Sequence, residues 1–439
     1  MKGQRIVKMR GGIVGRTVVA TAVVILLLHR LVSTGKTTVP ASFVGAAPLA
    51  RTLSAKELTW GVIGDDRTHL AWEYRAGVRV KVVRISWKDF APTPTSVDPS
   101  YVASIKATFA QIRAAGLGVI LELGVQDTPT WLHARVPHSS YVDQYGDVYN
   151  GQGQADSGDA NAVYNPVVRQ LIAAYMRQVI ADFGASFVAV RLGGGRYGEL
   201  SYPPPDYNGH HFCYWAYDAN ARAASPTPGW RPGSSSPHGE AHLFLTAYLN
   251  ALTAYQNWQV ATLRRSYGGP IMMLYPSFGL RPGEVDAAVA GNLDGATAAE
   301  VNGETERGVD YARQVAALTD PLVWLTTTWL NCTFGDDASA DPTTWRPVHY
   351  LAYLASMHRP RLGLYGENSG EGSVVQMSFS AAQATRYGLS GMAWYDEAQL
   401  FSGRFATVAN YKQTIARAST PPTPRPWPTP ASLATLKQH

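Results

Sequence analysis

From Leu58 onward, short apolar runs rich in Val, Ile and Leu alternate with longer stretches whose apolar positions recur every three to four residues. That alternation predicts strand, loop and helix, repeated. Strands are expected at Leu58–Ile63, Val80–Ser86, Leu117–Leu123, Phe187–Leu192, Ile271–Tyr275, Leu322–Thr328, Arg361–Tyr365 and Leu389–Trp394. Between them, helical periodicity covers Tyr101–Ala115, Pro166–Phe183, Ala241–Tyr267, Thr305–Leu318, Val348–Met357, Ser378–Tyr387 and Ala406–Ala418. Pro166 opens and Gly184 follows the second of these, the expected punctuation of a helix. Strands alternating with helices at this count predict an α/β fold, a single (β/α)8 TIM barrel. The connections after strands three to six are long and rich in Gly, Pro, Tyr and Trp, so a built-up cleft is expected on the C-terminal face.

Outside this region the pattern changes. Lys2, Arg5, Lys8, Arg10 and Arg16 precede an apolar segment, Thr17–Leu28, which is the layout of an export signal. Its apolar core falls short of the ~20 residues of a comfortable membrane span, so residues 1–32 are read as a signal peptide or an N-terminal anchor. A polar linker over 33–55 leads into the barrel at 56–418, and the proline-rich end, 419–439, is read as a disordered tail. The expected location is extracytoplasmic, secreted or tethered to the outer face of the membrane.

Composition narrows the picture. Hydrophobic residues make up 46% and charged residues 16%, a globular balance, and the net charge of +6 contains no basic run that would suggest nucleic acid. Cys213 and Cys332 are the only cysteines, so a disulfide framework and an all-cysteine zinc site are excluded, while a single Cys213–Cys332 bridge stays open. His210, His211 and Cys213 have no second cluster with ligand spacing, so neither a metal nor an organic cofactor is expected. Gly193–Gly198 spells GxGxxG but runs into Pro203 rather than opening a helix, which argues against dinucleotide binding.

The candidate chemistry lies at two strand ends. The fourth strand stops at Gly193, Gly194 and Gly195, and Glu199 follows; the seventh is followed by Gly366, Glu367 and Asn368. Carboxylates delivered from two strands converge over a barrel mouth, and a pair of them suits glycosidic bond cleavage. Arg84, near the end of strand two, is placed to keep a carboxylate ionised. Trp131, Trp329 and Trp394, with Arg196, Tyr197 and Tyr202 around Glu199, are candidate substrate contacts, as are Asn368 and Asp396. Tyr145, Trp215 and Trp345 also fall in or near mouth loops, with core packing expected for at least half of these aromatics. Glu122 on strand three and Arg191 on strand four are expected to form a buried ion pair; Asp65, Asp66, Asp89 and Glu397 follow other strands as sugar contacts.

These motifs carry a resemblance. The chain looks like a 4/7-type glycoside hydrolase barrel, whose acid follows strand four and whose second carboxylate follows strand seven. VRISWKDFAP, GLGVILELG, DTPTWL and the helix ending in ADFG resemble the family 42 beta-galactosidases of clan A. GGGRYGELSYP and Gly366-Glu367-Asn368 are closer to the beta-amylase family. The resemblance implies Glu199 as acid, Glu367 as second carboxylate and Arg84 as its neighbour. LGVQDTPTWL is of the clan A kind rather than the glycine-rich beta-amylase lid, which points to a retaining beta-glycosidase acting on oligo- or polysaccharide. Its rivals are an inverting alpha-glucan hydrolase and a barrel that binds carbohydrate without cleaving it.

Overall fold

The computed structural model describes residues 58–151, 158–295, 303–370 and 372–418. The leader, the linker and the proline-rich tail lie outside these. The strands are β1 Thr59–Ile63, β2 Val80–Ser86, β3 Gly118–Gly124, β4 Ala189–Leu192, β5 Ile271–Tyr275, β6 Val323–Thr327, β7 Gly363–Glu367 and β8 Gly391–Trp394. All pair in parallel with their sequence neighbours, and β8 returns to β1, closing the barrel. The principal helices are α1 Leu70–Ala76, α2 Pro99–Ala114, α3 Pro166–Phe183, α4 Glu240–Arg264, α5 Tyr311–Ala316, α6 Pro347–Met357, α7 Val374–Arg386 and α8 Val408–Ala418. Among the described residues, no helix is long and apolar enough to cross a membrane.

The expected strands are all present, within a few residues at their ends. Two helices differ. The stretch expected as helix over Thr305–Leu318 is helical only as α5, because Glu304–Asp310 folds into successive turns closed by bonds such as Val309 N to Glu304 O at 2.9 Å. Helix α1 was not legible: its His69 start makes no side-chain cap, and it exposes Trp72 and Tyr74 while burying Glu73, the reverse of an amphipathic pattern.

Period-two alternation sorts the strand side chains. Val80, Val82, Ile120, Ala189, Met272, Leu274, Tyr365 and Ala393 point inward and form a small core within the barrel. The opposite parity packs beneath the helices in a larger core. At ~1.5–3 kcal/mol per fully buried large apolar side chain, these two layers dominate stability. One charged group belongs to the outer layer: Lys81, completely buried, donates to both Glu73 oxygens at 3.1 Å, to the Asp66 carbonyl at 2.9 Å and to Glu397. Glu397 is therefore a structural partner on the barrel's flank and not a sugar contact. Burial and the adjacent Glu73 carboxyl raise it to about 8. Both cysteines are buried and unbridged, so the open Cys213–Cys332 pairing does not form.

Candidate active site

The inward parity that fills the barrel with apolar side chains continues one step further toward the C-terminal ends, and there it becomes charged. Beyond Val82 comes Arg84, beyond Ile120 Glu122, beyond Ala189 Arg191, and beyond Tyr365 Glu367. Register places Arg84 beside Glu122 and Glu122 beside Arg191. Arg191 is the centre of this layer: its Nη2 donates to Glu367 Oε2 at 2.7 Å and its Nη1 lies 3.5 Å from Glu122 Oε2. The expected Glu122–Arg191 pair is present, with Glu367 as a third member. Gln126 Nε2, from the loop after β3, donates to Glu122 Oε1 at 3.0 Å and fixes that carboxylate.

Glu199 reaches the same mouth from the loop after β4. Its turn needs glycine: a side chain on Gly193 would run into the Gly198 carbonyl oxygen, and Gly194 has φ of +82°. Gly195 N to Glu199 O at 2.8 Å and Leu200 N to Leu274 O at 2.9 Å tie the loop to itself and to β5. Glu199 Oε2 lies 3.3 Å from Arg307 Nη2, and Thr328 hydrogen-bonds the same carboxylate. Arg307 was missed, because it sits in the turns before α5 where no strand or helix period marks it.

Both candidate carboxylates are displaced in the same direction. Burial raises Glu367 to about 7 against the pull of Arg191, with Glu122 and Glu199 adding repulsion. Burial also raises Glu199, opposed by Arg307 and then by a hydrogen bond from Thr328. Four carboxylates, Glu122, Asp127, Glu199 and Glu367, meet three arginines, Arg84, Arg191 and Arg307, in this mouth. Carboxyls raised by burial towards neutrality are suited to donating a proton and taking it back.

The remaining expected residues divide. Arg84 lies in the mouth but pairs with Asp127, Nε to Oδ2 at 3.5 Å, and not with Glu367, whose arginine comes from β4 instead. Asp127, raised by burial, was missed although it stands in the LGVQDTPTWL loop. Tyr197 is exposed beside the mouth with the Arg196 guanidinium 4.7 Å from its ring. Trp131 and Trp329 are half-buried; Trp131 Nε1 donates to the Ala91 carbonyl at 2.8 Å, and Trp329 packs edge-on to Phe278.

Tyr202 and Trp394 are corrections. Tyr202 is fully buried, stacked on Tyr248 at 3.9 Å with its hydroxyl donating to the Tyr248 carbonyl. Trp394 has the outward parity of β8 and is buried against Tyr411, as Trp215 and Trp345 are buried elsewhere. The mouth position belongs to Tyr395, next in the inward set after Ala393; it is substantially exposed and feels the charges of Arg84 and Glu367. Continuing the alternation one residue past the strand would have found it. Asn368 is buried and clamps Tyr395 through paired bonds of 2.7 Å to its N–H and carbonyl, which makes it a brace between β7 and β8 and not a sugar contact. Asp396 caps the short helix Glu397–Ser402 through Gln399 N at 2.9 Å. Tyr145 is exposed but stacks on His210 at 4.1 Å. Among the described residues no cluster of His, Cys, Asp and Glu could hold a metal ion.

No protein-family model matches the sequence. No curated protein matches it either. Solved structures do. The catalytic domain of beta-amylase from Paenibacillus polymyxa superposes with a TM-score of 0.62 at 17% identity, covering 83% of this chain and 99% of that one. Beta-galactosidases from the Antarctic haloarchaeon Halorubrum lacusprofundi and from the psychrophilic Marinomonas ef1 give TM-scores of 0.54 and 0.50, each at 12% identity. They cover 83% and 82% of this chain, but the chain spans only 58% and 59% of theirs. The chain has the (β/α)8 barrel fold of these proteins, over nearly the whole of the first and somewhat over half of the other two.

Proposed function

We propose that this protein is a glycoside hydrolase acting on oligo- or polysaccharide, with Glu199 and Glu367 as its catalytic carboxyls. The observation that carries the proposal is their delivery, from the ends of β4 and β7, into one mouth where four carboxylates meet three arginines. Glu199 protonates the glycosidic oxygen, Glu367 acts on the opposite face of the sugar ring, and Arg191 and Arg307 limit the charge that each accumulates. The named activities of the similar barrels, an amylase and two galactosidases, support the same reaction class.

Of the two stereochemical courses, the electrostatics favour inversion. A base that activates water gains strength as its pKa rises towards the working pH, and Glu367 at about 7 suits that task. A nucleophile must instead leave again as a carboxylate, which a low pKa assists. The retaining course expected from the sequence has one observation in its favour, the 2.7 Å hydrogen bond from Arg191 that holds Glu367 as carboxylate. Proton NMR of the first-formed product on a panel of maltooligosaccharides and beta-galactosides decides: an anomer opposite to that of the cleaved bond supports inversion, and the same anomer supports a glycosyl-enzyme intermediate. A protein that binds members of the panel without cleaving any sinks the hydrolase proposal.

A further inference from the structure

The face opposite the mouth has a character that the chemistry above does not use. It is built from the connections that enter the strands. Arg75 and Arg79 stand before β2, Arg113 before β3, Arg265 before β5, and Arg359 and Arg361 before β7, all of them exposed. Arg417, at the end of α8, is exposed as well. Asp182 and Asp320 are the carboxylates on these connections, and Asp320 is already paired with Arg264 at 2.7 Å. The contrast with the rest of the barrel is sharp, because residues 58–418 as a whole carry 27 Lys and Arg against 31 Asp and Glu. Basic charge is therefore gathered on one end of an otherwise slightly acidic body.

Large apolar side chains are exposed on the same face. Tyr74 (44% exposed) projects from the end of α1, with Trp72 (60%) earlier on the same helix, while Leu322 (45%) precedes β6 and Met357 (42%) ends α6. Arg75 lies over the Trp72 ring at 4.9 Å and Arg79 over Tyr74 at 4.6 Å. Arginine beside exposed Trp and Tyr suits a boundary that is charged on one side and apolar on the other. Chain connectivity points to the same face. β1 begins there at Thr59, and the sequence preceding it includes the apolar segment Thr17–Leu28 and carries nine Lys and Arg against one acid over residues 1–57.

We propose that this face rests on a lipid surface bearing anionic headgroups. The seven exposed arginines supply the attraction to such a surface, and Tyr74, Leu322 and Met357 enter the headgroup layer. The catalytic mouth then points directly away from the membrane, open to polymers too large to pass beneath the barrel.

The test uses the full chain with an environment-sensitive fluorophore attached through Met357→Cys, both native cysteines being buried. A second preparation carries the label through Tyr197→Cys at the mouth. Vesicles of phosphatidylcholine with 30% phosphatidylglycerol are expected to shift the emission of the first label to the blue and leave the second unchanged. In 0.5 M salt the shift falls by at least half, since screening shortens the reach of the arginines, and neutral phosphatidylcholine vesicles produce little. The variant Arg75→Glu, Arg79→Glu, Arg359→Glu, Arg361→Glu loses the shift while keeping its circular dichroism spectrum. The proposal is overturned by an absent shift at position 357 on anionic vesicles, by equal shifts at both positions, or by an equal shift with dextran sulfate and no lipid, which would make the partner a soluble polyanion.

Discussion

At the scale of single residues, burial works against charge in the barrel mouth and on its flank. Glu367 has its folded pKa raised to about 7 from an ordinary value near 4.5. For an acid raised on folding, stability is fully present below the unfolded value and is lost as pH rises through the folded one. Glu367→Gln is therefore expected to leave stability nearly unchanged at pH 4 and to raise it by on the order of 2–3 kcal/mol at pH 8. Chemical denaturation at the two pH values checks this, and equal effects at both would contradict it. The same residue sets the acid limb of catalysis: as the base must be ionised, kcat/KM should fall tenfold per pH unit below about 7 in wild type. Lys81 makes the complementary case. Lys81→Met leaves Glu73 and Glu397 buried without their cation, and a loss of about 3–5 kcal/mol is expected from thermal unfolding; a change under 1 kcal/mol would show that the cluster is dispensable.

At the scale of elements, what was legible followed from periodicity and what was missed lay beyond it. Glu122, Arg191 and Glu367 sit on strands, where alternation fixes which side chains face inward, and their convergence could be anticipated. Trp394 is aromatic and ends a strand, which marks it for the mouth, yet its parity turns it outward, and Tyr395 holds the inward position. Arg307 and Asp127 come from loops whose paths depend on tertiary contacts, so nothing local announced them. Arg84 kept its place but not its partner, since β4 supplies a nearer arginine to Glu367. The glycine turn after β4 is the element most exposed to test. Gly193→Ala meets the Gly198 carbonyl oxygen and must move the loop that presents Glu199. A 10- to 100-fold loss in kcat with a Tm within a few degrees of wild type is expected, given the sensitivity of catalysis to ~1 Å displacements. An unchanged kcat would mean that the turn does not position Glu199.

At the scale of the whole molecule, the barrel was readable because all eight strands and most of the helices carry their own hydrophobic period, α1 being the exception. The geometry separates tasks: chemistry at the C-terminal ends of the strands, and an arginine-rich face at their beginnings. The central claim concerns the first of these, that Glu199 and Glu367 act together on one glycosidic bond. The most direct measurement is kcat for Glu199→Gln, Glu367→Gln and the double variant on a glycan that the wild type cleaves. Residues acting in one step give strongly non-additive losses, so a fall of about 10²–10⁴-fold is expected in each single variant and little further loss in the double. Wild-type turnover in either single variant would contradict it.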